Sequence, residues 1–225
     1  MMKKNLIFLG APGSGKGTQA QILQAKAGYC HLATGDLLRE AMKTKSELGN
    51  KVEEYVNNGE LVPDSVIIEL VEDKFSKEAD LKEKGFILDG FPRTIKQAEL
   101  LKSLLAKYQL EIESVLFFDV DLQTVTDRVM SRMTCGKCNQ VYNLISKVPE
   151  KKDICDSCGG ELKRRADDTE EKIKKRFEIY KEQTEPLLGY YKDVLINLAA
   201  KDEPEEIFKS LNKTLLIDYN KKPSF

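Results

Sequence analysis

The stretch Gly10-Ala11-Pro12-Gly13-Ser14-Gly15-Lys16-Gly17-Thr18 follows the apolar run Leu6-Ile7-Phe8-Leu9 and leads into a segment of helical character. A strand that ends in a glycine-rich turn and continues as a helix restricts the chain to few architectures, chiefly those in which helices cover a parallel sheet. The same order makes a phosphate cradle. Glycines let successive backbone N–H groups face one point, the helix N-terminus adds partial positive charge, and Lys16 supplies a mobile cation. The motif therefore predicts binding of a nucleoside polyphosphate. One position departs from the general pattern: Gly17 follows Lys16, and the hydroxyl residue Thr18 comes one later. In the general pattern that hydroxyl ligates Mg²⁺. Either Thr18 reaches the ion differently, or phosphates and water hold most of it, which Mg²⁺ tolerates because it gives up its waters reluctantly.

Further short apolar runs punctuate long helical stretches: Tyr29–Ala33, Phe86–Leu88, Val115–Phe118 and Val194–Leu198. Together with Leu6–Leu9 they predict five strands buried on both faces, hence a doubly wound α/β domain with a five-stranded parallel sheet. At 225 residues the chain suits one main domain with insertions. Thr94 with Gln97, and Asp168 with Glu171, have the spacing of reciprocal helix caps; Asp64 and Asp121 stand at further N-cap positions. Pro204 opens a last helix from Glu205 to about Leu215. Two stretches interrupt the alternation and read as insertions at the strand ends, where open α/β sheets bind ligands. Ala33 to Val62 is polar and helical, with breaks expected at Gly49 and Gly59. Ser131 to Asp168 is irregular or short β structure and holds four of the five cysteines.

Lysine and arginine number 36 against 37 acidic residues, a net charge of −1, which argues against a general nucleic-acid or membrane-surface binder. No apolar run approaches the ~20 residues of a membrane span. The start, Met1-Met2-Lys3-Lys4, is basic, but Asn5 to Leu9 is too short for a signal core, so a cytoplasmic location is expected. The chain has no repeat and no Ser/His/Asp or Cys/His catalytic set.

Cys135-x-x-Cys138 and Cys155-x-x-Cys158, with 16 residues between the pairs, have tetrathiolate spacing. Two such knuckles close a tetrahedral Zn²⁺ site at ~2.3 Å per sulfur, and four protein ligands leave no position open, so the metal is expected to be structural. Disulfides fit poorly in a cytosolic chain. A nucleic-acid-reading zinc ribbon would need interleaved aromatics and basic excess, which the segment lacks. Cys30 reads as an ordinary buried thiol, and His31, the single histidine, as core packing. Phe86-Ile87-Leu88-Asp89-Gly90-Phe91-Pro92-Arg93 ends a strand in a carboxylate beside the phosphate loop, well placed to hold Mg²⁺ through its waters, and follows it with a guanidinium that can fork onto phosphate. Arginines also gather around the cysteine insert. Arg128 and Arg132 come before it, four apart on an expected helix face; Arg164 and Arg165 follow it, and Arg176 lies one helix further. Such a set suits phosphoryl transfer, where charge spreads over the moving oxygens. Carried on a mobile insert, the arginines would also exclude water. Asp167 and Asp168 either pair with these arginines or cap the next helix.

At these residues the chain resembles the adenylate kinases, in their long form with a metal-binding lid. The match runs from Asn5 to at least Tyr191. It takes in Gly10–Thr18, Leu32-Ala33-Thr34-Gly35-Asp36-Leu37-Leu38-Arg39, Gly59-Glu60-Leu61-Val62-Pro63-Asp64, Gly85–Thr94 with Gln97, and Arg165-Ala166-Asp167-Asp168. The resemblance implies a P-loop NTPase fold and reversible phosphoryl transfer from Mg·ATP to AMP, giving two ADP. It implies a core of residues 1–32, 63–130 and 169–225, an AMP-binding domain of 33–62, a lid of 131–168, and a monomer. Gly13, Ser14, Gly15, Lys16, Gly17 and Thr18 would hold the donor phosphates. Arg132 with Val141 and Tyr142 would lie on ATP, and Arg128 against its adenine. Thr34, Arg39 and the backbone of Glu60, Leu61 and Val62 would surround AMP, completed by Gly90, Phe91, Pro92, Arg93 and Gln97. Gln97 is also a capping partner, which gives its amide two competing uses. Arg165 and Arg176, with Arg93, would bridge the two phosphate chains. Beyond Tyr191 the match weakens. The family's glycine-containing turn at the donor adenine reads here Leu198-Ala199-Ala200-Lys201-Asp202-Glu203-Pro204, leaving Glu203, through its backbone, as the carry-over. Two alternatives stay open: a kinase for another nucleoside monophosphate, against which Thr34 and Gln97 favour adenine, and a non-catalytic zinc-ribbon adaptor that binds ATP.

Overall fold

Side chains alternate across a strand, so a strand apolar at every position must be covered on both faces. β1 (Leu6–Gly10) shows this directly: Leu6 and Phe8 enter one buried cluster, Ile7 and Leu9 another. The computed structural model describes residues 4–43, 47–58, 60–78 and 81–215. The expected break at Gly59 and the start Met1-Met2-Lys3 lie outside them.

From β1 the chain runs through α1 (Lys16–Ala27) to β2 (Cys30–Ala33), then α2 (Thr34–Lys43), α3 (Glu47–Asn58), α4 (Asp64–Lys77) and the single turn α5 (Leu81–Lys84). β3 (Phe86–Asp89), α6 (Ile95–Lys107), β4 (Ser114–Asp119) and α7 (Leu122–Met130) follow. The cysteine insert contributes β5 (Arg132–Cys135), β6 (Val141–Asn143) and β7 (Leu162–Lys163). α8 (Glu170–Ile179) passes through a π turn at Tyr180–Thr184 to α9 (Leu187–Tyr190), β8 (Leu195–Ala199) and α10 (Pro204–Leu215). All five expected strands join one parallel sheet in the order β2-β3-β1-β4-β8, and the insert's three strands form a small antiparallel sheet, β6-β5-β7.

Register brings the chemistry to one edge. Phe8 pairs with Asp89, Ala33 with Asp89, Gly10 with Phe118, and Asp119 with Ala199. The loops after β1 and β3 therefore leave the sheet side by side, at the point where the chain order switches across β1, and the loop after β8 leaves from the same end.

Helix starts agree in part with expectation. Thr94 Oγ1 accepts from Gln97 N–H at 3.1 Å and Asp121 Oδ1 from Thr124 N–H at 2.8 Å. The return bond of the first cap differs, because Gln97 Oε1 accepts from the N–H of Arg93 (2.7 Å), one residue before the cap. Asp64 is the first helical residue after Pro63 and caps nothing; its carboxylate accepts from Gln97 Nε2 at 2.8 Å. Asp168 is not a cap either. Thr169 takes that place, accepting from Lys172 N–H at 3.4 Å, because the Asp168 carboxylate is committed to Arg132. Gly49 lies buried inside α3 rather than breaking it, tertiary packing overriding the ~1 kcal/mol helix cost of glycine. Arg128 and Arg132 do not share a helix face, since α7 ends at Met130 and Arg132 opens β5.

Candidate active site

A lysine in a glycine-rich turn has few acceptors except the turn itself. Lys16 Nζ donates to the carbonyls of Gly10 and Ala11, both at 2.8 Å, and to Ser14 Oγ at 3.2 Å. Gly10, Gly13 and Gly15 all carry positive φ, so the loop wraps round the ammonium in a conformation that favours glycine. Burial lowers the Lys16 ammonium to about 8; Asp89 opposes the shift, while Arg93, Arg176 and Arg132 add to it. Beyond the loop opens a cavity of about 460 Å³. A second, of about 60 Å³, meets it at Arg39, Gly90, Arg93 and Arg176.

Asp89 ends β3 at this junction. Its Oδ2 lies 3.4 Å from His31 Nε2, and a methyl group built on Gly17 would sit 3.2 Å from the same oxygen. Burial pushes the Asp89 carboxyl up, but the His31 hydrogen bond and the charge of Lys16 outweigh it and hold the group below its ordinary value. Asp89 is thus an ionised carboxylate at the loop's edge, a fit for a hydrated divalent cation.

The arginines converge on the cavity. Arg93 Nε donates to Gly90 O at 2.8 Å, and burial followed by the charge of Arg176 lowers its guanidinium to about 10. Arg165 donates from Nε to Thr134 Oγ1 at 3.1 Å; burial, then Arg132 and Arg39, lowers it to about 10. Carboxylates at the rim hold the others in place. Asp168 accepts from Arg132 through both oxygens, Asp167 from Arg176 at 2.9 Å, and Asp36 from Arg39, whose Nε is buried without a hydrogen-bond partner. Cations that depress one another's pKa values in a shared cleft gain most from a polyanion.

Other expected residues take mixed places. Gly13, Gly15, Gly17, Thr18, Pro92, Val141 and Glu203 line the larger cavity, while Ser14 is buried beneath the loop. Thr34, Glu60, Leu61, Val62 and Gln97 line the smaller one. Phe91 lines neither: it is 1% exposed and packs into the core, the face opposite to that of its neighbours. Arg128 borders the larger cavity with its guanidinium spent on carbonyls, Nη1 to Ala200 at 2.7 Å and Nη2 to Lys201 at 3.1 Å, so it ties α7 to the turn after β8. Tyr142 borders it too, but its side chain is buried inside the insert. Arg164 points to solvent. His31 is no mere packing residue; it faces Asp89 across the cavity wall, a role that needs the β2–β3 register to be seen. Asp36 was also missed, although its i,i+3 spacing from Arg39 on a helix signals the pair. Cys30 is half-buried at the start of β2, and burial pushes its thiol up to about 11, which leaves it unreactive.

In the insert, the Sγ atoms of Cys135, Cys138, Cys155 and Cys158 all lie within 4.8 Å of one another, and the backbone N–H of Lys137 donates to Cys135 Sγ at 3.4 Å. A Cβ on Gly160 would come within 2.8 Å of Cys135 Sγ, so only glycine lets the second knuckle close. Four converging sulfurs with N–H donors fit a thiophilic ion such as Zn²⁺.

A family model described as adenylate kinase matches residues 8–196. The chain belongs to the adenylate kinase family. The adenylate kinase of Caldicellulosiruptor bescii is 46% identical over 215 residues, spanning 95% of this chain and 99% of its own. That of Archaeoglobus fulgidus is 45% identical over 213 residues, 94% of this chain and 97% of its own, and that of Clostridium tetani 41% over 213 residues. Membership of the adenylate kinase family disfavours the adaptor reading. No helix of the described residues is long and apolar enough to cross a membrane.

Proposed function

We propose that this protein transfers the terminal phosphoryl group of Mg·ATP reversibly to AMP, giving two ADP. The observation that carries the proposal is the meeting of a large and a small cavity at Arg39, Arg93 and Arg176, with Lys16 in the wall of the larger. ATP occupies the larger cavity with its phosphates on Gly13–Thr18, and AMP the smaller, beside Thr34, Leu61 and Gln97. An AMP phosphate oxygen bonds to the γ phosphorus while the bond from that phosphorus to the β-bridging oxygen breaks. No protein group forms a covalent bond. Lys16, Arg93, Arg132, Arg165 and Arg176 face the charge that spreads over the transferring oxygens, and one such arginine is worth ~10³–10⁵ in rate in related sites. Asp89 would hold Mg²⁺ through water, with Thr18 in the same cavity; bound with ATP, the ion neutralises charge on the β and γ oxygens.

Residues 33–62 form the acceptor domain and residues 131–168 a lid whose closure excludes water. The remainder is the core. The four thiolates hold a structural Zn²⁺, and the protein works as a cytoplasmic monomer. Incubating the purified protein with Mg·ATP and AMP should produce ADP, with UMP, CMP and GMP as poorer acceptors. Lys16→Ala should lower kcat by roughly 10²–10³ with the fold intact. A variant that kept its kcat removes Lys16 from the mechanism.

A further inference from the structure

A buried tyrosine must place both its ring and its hydroxyl, and the hydroxyl has one proton to give and lone pairs to receive. Tyr142 lies in the middle of β6, opposite Met133 of β5, and is 2% exposed. Its ring packs with Cys135, Cys155 and Leu162, a cluster separate from the two that cover the main sheet. Lys147 Nζ stands 5.2 Å from the ring centroid. The oxygen accepts from the backbone N–H of Asp156 at 2.8 Å, inside the knuckle Cys155-Asp156-Ser157-Cys158. The hydroxyl also lies 3.5 Å from Cys155 Sγ. A metal-bound thiolate carries no proton and can only accept, so the direction of that bond follows: tyrosine donates, sulfur receives.

We propose that Tyr142 is a positioning residue of the metal centre, its hydroxyl clamping the second knuckle through Asp156 N–H and donating to Cys155 Sγ. The reading rests on the tetrathiolate holding a metal. Four thiolates give a divalent ion a net negative site, and a donor to one sulfur relieves part of that charge. Tyr142 also belongs to the strand that borders the larger cavity, so one side chain joins the metal centre to the wall of the donor cleft.

Tyr142→Phe keeps the ring and removes only the oxygen. Metal content of the full-length wild-type protein comes first, and a wild-type chain that binds no Zn²⁺ overturns both this proposal and the metal reading. With Zn²⁺ loaded, transfer to a chromogenic chelator should be at least about tenfold faster in the variant, in line with the 10–100-fold effect of such partners on affinity. In the Co²⁺-substituted proteins, the sulfur-to-cobalt charge-transfer bands should shift between variant and wild type, a change that loss of packing alone would not produce. Release rates within twofold and superimposable Co²⁺ spectra overturn the proposal. Should the variant not fold, the Asp156 amide in the Zn²⁺-loaded wild type decides: slow hydrogen exchange supports the clamp, and exchange at the rate of a free amide refutes it.

Discussion

Of the cations in the cleft, Lys16 is the one whose charge is most easily lost. Its value in the free protein is about 8 against an ordinary 10.5, and a bound polyphosphate favours the charged form again. Nucleotide binding should therefore take up a proton once the pH exceeds about 8. Affinity should then fall with rising pH by up to about tenfold per unit, with no contribution from this group at lower pH. Calorimetric titration with ATP near pH 9, in buffers of different ionisation enthalpy, should register this uptake, and a Lys16→Met variant should not. For folding the sign is opposite. The unfolded chain holds the proton more tightly, so the penalty is full below pH 8 and lifts as pH rises toward 10.5. Lys16, Asp89 and Arg93 were legible in the sequence because each ends a strand or follows one in a turn of fixed spacing. Their partners were not. Asp167 and Asp168 read equally well as arginine partners or as caps, and only proximity in space commits them to Arg176 and Arg132.

Helix α8 shows how a neighbour decides an element's first residue. Asp168-Thr169-Glu170-Glu171 contains two adjacent residues able to cap, and local chemistry slightly favours the aspartate with its glutamate three on. The insert closes beside it, Arg132 takes the Asp168 carboxylate out of reach, and the helix starts one residue later on Thr169. Thr169→Ala should cost about 0.5–1 kcal/mol of stability in chemical denaturation, while Glu171→Ala should change it by less than about 0.5 kcal/mol. Equal effects would restore the earlier start. At α6 the cap stays on Thr94, but the Gln97 amide bonds Arg93 N–H and Asp64 and so holds both the turn after β3 and the start of α4.

At the scale of the molecule, the two faces of the main sheet carry extensive buried clusters, and the insert has a small one built round two of its cysteines. So little apolar surface leaves the insert weakly held by burial, and in the proposed reading the Zn²⁺ on its four thiolates serves as its core. Replacing Cys135 and Cys158 together by serine should lower the melting temperature more than it changes turnover at low temperature. Hydrogen exchange should then quicken across residues 132–163 while β1 and β4 stay protected. Unchanged metal content and melting point would refute the structural role.

The strand number of the main sheet, the glycine-rich loop, the paired knuckles and most of the residues that line the two cavities were determined by the sequence alone, because each depends on local order: apolar runs, glycine in a tight turn, closely spaced cysteine pairs. Strand order, the meeting of the two cavities, the His31–Asp89 contact, the burial of Phe91 and the arginine–carboxylate pairings were decided only in the tertiary structure. Those features arise between segments far apart in the chain. Burial there removes water as a competing partner, so a polar group takes whichever neighbour packing brings within hydrogen-bond reach.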